Sequence, residues 1–166
     1  MIETVNFKGT DYPLFQTNGN AARFCRAFAL EVCKGDVIYD IGYNREEWKF
    51  PNAIGVDLLD NNEFDAYNLP PFQADAIHSS HLLEHLQDWV AALNYWTDKL
   101  KSGGTLFLYL PDESQLYWRP FHNRKHVTQF NPSIIRDYLF YSGRYKNIFV
   151  SGVDAYNSFI AFAEKI

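Results

Sequence analysis

Apolar residues along the chain fall into two spacings. Ala21, Phe24, Cys25, Phe28, Ala29 and Val32 recur at the interval of one helix face. Asn18 or Asn20 is placed to cap that helix, and Gly35 to end it. Residues 36–41 and 53–58 are short, branched-apolar runs that read as buried strands, and the first breaks into Gly42, Tyr43 and Asn44. Asn61, Asn62, Pro70 and Pro71 then punctuate the chain, leaving room for at most a brief strand at 63–67. Residues 74–79 predict another buried strand. Leu82, Leu86, Trp89, Val90, Leu93, Trp96 and Leu100 predict one long helix, which Lys99, Lys101, Gly103 and Gly104 bring to an end. Residues 105–110 form a continuous apolar run closed by Pro111, as a central strand does. Asn131 and Pro132 make a cap and first-turn pair for a helix through Ser142. Residues 145–150 and 158–163 read as two terminal strands joined by a short turn. The opening residues, broken by Pro13 and Gly19, carry no clear pattern.

Strands that alternate with helices imply an α/β fold, a three-layer sandwich around a mostly parallel, Rossmann-like sheet. The last two strands, with no helix between them, predict an antiparallel hairpin at its edge. A chain of 166 residues can bury one core but not two. We therefore expect a single domain over 1–166, with an N-terminal segment and helix at 1–35 and the core at 36–166.

Charge narrows the partners. The net charge of -5 disfavours a general nucleic-acid binder, which needs a basic face to neutralise phosphates. No apolar run approaches the roughly 18 residues of a membrane span, and neither end reads as a secretion signal. Cys25 and Cys33, eight apart in one helix, match neither a disulfide framework nor a Cys-x-x-Cys metal knuckle. Reduced thiols suit a cytoplasmic protein.

Candidate chemistry begins with two carboxylates. Asp40 lies near the end of the first strand, with Gly42 two residues on, and Asp57 near the end of the second. A glycine at a strand-to-loop junction lets a ligand approach the backbone, and an acid at the tip of the next strand can accept both hydrogen bonds of a ribose diol. A pyrophosphate cofactor would call for three glycines opening a helix, and only Gly42 is present. Carboxylates suit a cationic cofactor better.

The ordered segments Val37-Ile38-Tyr39-Asp40-Ile41-Gly42, Ile54-Gly55-Val56-Asp57, Phe64-Asp65-Ala66-Tyr67-Asn68-Leu69-Pro70, residues 75–86 and residues 100–106 carry a family resemblance. The chain resembles class I S-adenosylmethionine-dependent methyltransferases, most of all short, type 11-like members with a contracted segment after the second strand. The resemblance implies S-adenosylmethionine as cofactor. It sets Asp40 beside the methionine amino group, Gly42 against the cofactor, Asp57 on the ribose hydroxyls and Asp65 beside the adenine. Tyr43, Asn44 and Ser79 complete the cofactor-binding set, with Tyr43 able to enclose the sulfonium. Asn44 stands where the family usually has a second glycine, and Glu46 where it often has a third. The implied acceptor is a small molecule or saccharide. His81, at the carboxyl edge after the fourth strand, and His126, in the aromatic and basic loop 117–130, are the candidate bases. That loop reads as a substrate lid.

Two other functions compete. The degenerate glycine turn also suits a methyltransferase-like binding module without catalysis. His81, Leu82, Leu83, Glu84 and His85 spell H-x-x-E-H, a zinc-hydrolase motif in which two histidines on one helix share a metal. Only His122 or His126 could supply its third ligand. The methyltransferase reading itself calls for no metal.

Overall fold

The computed structural model describes residues 1–58 and 63–166, so Asn61 and Asn62 lie outside the described residues. In order, the chain forms β1 (Thr4–Phe7), β2 (Thr10–Pro13), α1 (Leu14–Thr17), α2 (Ala22–Val32), β3 (Ile38–Ile41), β4 (Ile54–Val56), β5 (Ala74–Ser80), α3 (Trp89–Lys99), β6 (Leu100–Pro111), α4 (Pro132–Tyr141), β7 (Tyr145–Val150) and β8 (Ser158–Lys165). The main sheet has the order β4-β3-β5-β6-β8-β7. β4, β3, β5 and β6 pair in parallel, and β8 runs against both its neighbours. The Rossmann-like α/β fold and its antiparallel terminal hairpin are as the sequence predicts.

Alternation along the strands splits the core into two layers. Ile38, Ala76, Phe107 and Tyr109 pack under α2 with Ala21, Cys25, Ala29 and Cys33. Tyr39, Ile41, Ile77, Leu106 and Leu108 face the other way, against Leu93 and Trp96 of α3 and Ile135 and Leu139 of α4. Strands covered on both faces need near-continuous apolar sequence, which β6 supplies from Leu106 to Leu110, whereas β3 and β5 also bury Asp40, His78 and Ser79, each with a hydrogen-bond partner.

The structure corrects three local readings. The helix predicted from Leu82 is broken. Leu83–His85 is one turn of 3-10 helix, Leu86 is extended, and α3 starts at Trp89 because the Asp88 carboxylate caps it, accepting from the Ala91 N–H at 2.9 Å. The brief strand at 63–67 is instead a turn closed by a bridge between Asp65 and Asn68. Neither Asn18 nor Asn20 caps α2, whose N-cap is Ala21 with no side-chain hydrogen bond. At α4 the expected cap does form, with Asn131 accepting from the Ile134 N–H at 3.0 Å.

The N-terminal residues are patterned after all. β1 and β2 pair as an antiparallel hairpin turning at Lys8 and Gly9, both at positive φ. Phe7 and Tyr12 of this hairpin meet Tyr117 edge-on and tilted, at 5.4 and 5.2 Å between ring centroids, so it clamps the start of the 117–130 loop.

Candidate functional site

In an open parallel sheet, ligands bind beyond the carboxyl ends of the strands where successive connections leave in opposite directions. Here that point lies between β3 and β5, since the chain passes from β3 outward to β4 and returns to β5 on the other side. A cavity of about 640 Å³ opens there. Gly42, Asn44 and Asp57 line it from the ends of β3 and β4, and His81, Leu82, Glu84 and His85 from the end of β5. Gln16 to Gly19 close one side, and Trp118 with Asn123 to Val127 close the other.

Of the residues predicted to bind the cofactor, the structure brings Gly42, Asn44 and Asp57 together. Gly42 has φ +81 and donates its N–H to the Val56 carbonyl at 2.8 Å, which ties the two strand ends. The Asn44 N–H donates to Asp57 Oδ2 at 3.0 Å. Asn44 itself sits at φ +66, so asparagine does hold the left-handed turn that a glycine would.

Asp40, Tyr43, Asp65 and Ser79 are not brought to the cavity. Strand alternation turns Asp40 under α2, where Oδ1 accepts from His78 Nδ1 at 2.7 Å and Oδ2 from the Phe50 N–H at 2.6 Å. Ser79 Oγ is buried and donates to the Ile41 carbonyl at 2.9 Å. Tyr43 packs over β4, its ring filling the space beside Gly55, with Lys49 Nζ 5.8 Å above it. Asp65 caps its own turn, accepting from the Tyr67 N–H at 2.7 Å.

Both candidate bases reach the site. His81, at φ +50, has Nε2 2.9 Å from Ser158 Oγ, and burial holds its pKa well below the ordinary histidine range, with the charges of His126 and His85 adding to the effect. His126 is stacked on Trp118 at 5.6 Å and pushed down to about 4, chiefly by burial and then by His85. Both are therefore neutral at physiological pH.

What the sequence did not single out as a centre is Glu84. It is 1% exposed, and neither carboxylate oxygen has a hydrogen-bond partner. Burial pushes it up to about 8. His81 Nδ1, His85 Nε2 and His126 Nε2 each lie 3.8 Å from its Oε1. The loop reaches it because the Val127 and Thr128 N–H groups donate to the Glu84 backbone carbonyl at 2.9 and 3.0 Å.

A family model described as a methyltransferase domain matches residues 17–142, most of the chain and every strand end that lines the cavity. The chain belongs to the methyltransferase-domain family. No curated relative matches it in sequence. Similar solved structures include a methyltransferase from Thermotoga maritima described as a possible histamine N-methyltransferase, with TM-score 0.69, 15% identity, and 92% of this chain and 93% of that chain covered. The N-methyltransferase NodS from Bradyrhizobium japonicum, solved with S-adenosylhomocysteine, has TM-score 0.67 and 12% identity over 94% and 93% of the two chains. The magnesium protoporphyrin IX methyltransferase from Synechocystis, also with bound S-adenosylhomocysteine, has TM-score 0.60 and 15% identity over 99% and 90%.

For a methyltransferase-domain protein, S-adenosylmethionine is the cofactor the comparisons support. The residues present fit it: a backbone bare of side chain at Gly42, a carboxylate at the tip of the neighbouring strand, and the mostly exposed Leu58 as an apolar face beside it. The H-x-x-E-H motif does not sit on an α-helix, since His81 is at φ +50 and only Leu83–His85 forms a 3-10 turn, so its two histidines are not presented as a zinc hydrolase presents them. The loop 117–130 divides its labour. Trp118, Arg124, Lys125 and His126 line the cavity, while Tyr117 and His122 pack on Phe7. The hairpin and the cavity wall at Gln16 to Gly19 were missed in the sequence. Lys8-Gly9 between two short alternating runs was their signal.

Proposed function

We propose that this protein transfers the methyl group of S-adenosylmethionine to a small acceptor, a saccharide-type molecule among them, held in the same cavity. The cofactor supplies a methyl group activated on a cationic sulfur. The observation that carries the reading is the convergence of Gly42, Asn44 and Asp57 on one cavity at the sheet's switch point. Asp57 would take the ribose hydroxyls and Gly42 would admit the cofactor against the backbone. Methyl transfer needs the acceptor atom in line with the sulfur, and positioning alone supplies roughly 7 to 11 kcal/mol in intramolecular reactions. His81, neutral and facing the cavity, would accept the acceptor's proton. Arg124 and Lys125 on the opposite wall favour an acceptor that carries an acidic group.

No helix among the described residues is long and apolar enough to cross a membrane. The two unbridged, buried cysteines support a reducing, cytoplasmic setting.

Calorimetric titration with S-adenosylhomocysteine tests the reading. Saturable binding is expected, and no heat at millimolar ligand removes it. A second reading, a binding module without turnover, is favoured by the Asn44 side chain, whose Nδ2 occupies the space beside Gly19 on the cavity wall. Methyl transfer to any acceptor in a screen with labelled cofactor would exclude that second reading.

A further inference from the structure

Glu84, His85 and His126 form a cluster that is incomplete as it stands. A buried carboxylate needs hydrogen bonds or a compensating charge, and Glu84 has no hydrogen-bond partner at either oxygen. Its histidine neighbours, at 3.8 Å, are too far away to hydrogen-bond.

The tautomer of His85 sharpens the point. Its Nδ1 lies 2.8 Å from the Lys125 carbonyl oxygen, which can only accept, so Nδ1 carries the proton. In the neutral ring Nε2 then presents a lone pair toward the Glu84 carboxylate. At 3.8 Å the two atoms do not share a hydrogen bond, and a cation between them would take a lone pair from each, displacing any proton Glu84 holds. Histidine metal ligands commonly donate the other ring N–H to a backbone carbonyl, as His85 does, because that bond fixes the ring and makes the free nitrogen a better donor.

We propose that Glu84, His85 and His126 bind one divalent first-row metal ion of the zinc class in the wall of the cavity. The three donor atoms lie within 4.8 Å of one another. Two atoms 3.8 Å apart can each sit about 2.1 Å from a shared ion at an angle near 130°, so a shift of less than about 1 Å gathers the set. Two imidazoles and one carboxylate suit zinc or cobalt rather than magnesium or calcium, which prefer oxygen. Three protein ligands leave a coordination position open, and all three line the cavity. His81 stands apart from the set, its Nε2 bonded to Ser158 Oγ. This site differs from the hydrolase arrangement, in which His81 and His85 would share the ion and Glu84 would stay outside it.

Cobalt(II) chloride is the probe, titrated into the metal-stripped protein while visible d–d absorption and bound cobalt after dialysis are followed. One equivalent per chain is expected, with competition by zinc. His85→Gln should lower affinity at least tenfold, and His126→Ala further, while His122→Ala, outside the cluster, should leave it unchanged. His85 is partly exposed, so its variant decides the outcome should His126→Ala fail to fold. Less than stoichiometric cobalt in the parent protein, or equal affinity in the parent and His85→Gln, overturns the site. S-adenosylhomocysteine binding measured on the same samples separates the two ideas. Binding of that ligand without cobalt removes the metal site and leaves the methyltransferase reading, and the converse result does the reverse.

Discussion

Asp40 and His78 are register partners on adjacent parallel strands and share a 2.7 Å hydrogen bond beneath α2. The His78 ring lies between Phe50 and Phe107, at 5.0 and 5.4 Å between centroids, and the pair is almost wholly buried. Because the carboxylate can only accept, Nδ1 holds the proton, and the partnerless Nε2 can be a bare lone pair rather than a stranded donor. The acid of β3 therefore bridges to β5 beneath α2 and does not line the cavity.

The consequence is a split between stability and binding. Removing the carboxylate leaves the His78 Nδ1–H and the Phe50 N–H buried without an acceptor, at about 1–3 kcal/mol each. Asp40→Ala should lose stability on that scale in urea denaturation. The fraction that remains folded should bind S-adenosylhomocysteine as the parent does, and a large loss of affinity in well-folded protein would return Asp40 to the binding site.

The same neighbourhood silences the cysteines. Burial, and then the charge of Asp40, push the Cys33 thiol from 9.0 up to about 12, and Cys25 is raised further, mainly by burial. Neither should react with a thiol reagent at pH 8 until the protein is unfolded. A raised folded pKa contributes stability that is fully present below pH 9.0 and is lost as pH rises from there through about 12. Cys33→Ser or Cys33→Ala should therefore flatten the alkaline fall in the denaturation midpoint above pH 9.

Much of this architecture was legible because it is periodic. The α2 stripe, the four parallel strands and the Asn131-Pro132 start of α4 each carry a local signal that tertiary structure has no reason to override. The break after Leu82 was not legible. Its apolar spacing continues across residues 82–100, and only the Asp88 carboxylate at Ala91 decides that the helix starts later. The site divides in the same way. Asp57 and Gly42 were readable from position at strand ends, whereas the face Asp40 takes depends on strand parity, and that requires knowing which layer covers which side. The gathering of His126 onto Glu84 was not readable either, because a loop hydrogen bond far along the chain creates it.

Asp75 fixes the approach to β3 and gives an acid-side test. Its carboxylate accepts from the Asp36 and Val37 N–H groups at 3.0 and 2.9 Å and from Lys101 Nζ at 2.6 Å. The Lys101 hydrogen bond, then that from Val37, holds its pKa below the ordinary value. The site is partly wet, so Asp75→Asn should cost only about 1 kcal/mol at pH 7. A lowered folded pKa gives stability that is present above the unfolded pKa and lost as pH falls through the folded one. The gap between parent and variant should hold at pH 7 and begin to narrow below about pH 4, closing further as pH falls. A gap that does not narrow at all on acidification would mean the contacts act without the charge.

Asn44 and Asp57 set the mouth of the cavity and give the test closest to function. A Cβ on Gly19 would come within 2.6 Å of Asn44 Nδ2, so the asparagine side chain already fills that corner. Asn44→Gly would keep the positive φ at lower strain, preserve the N–H that donates to Asp57 Oδ2, and clear the corner. Its stability should stay within about 1 kcal/mol of the parent, since glycine relieves the turn but enlarges the unfolded ensemble. S-adenosylhomocysteine should bind it more tightly. Asp57→Ala removes both the acceptor for that N–H and the carboxylate offered to the ribose, and affinity should fall at least about tenfold, or ~1.4 kcal/mol. Opposite signs for the two substitutions, measured by calorimetry on protein of verified fold, would identify this turn as the place where the chain admits its cofactor. If both lower affinity equally, the Asn44 side chain is a ligand contact in its own right.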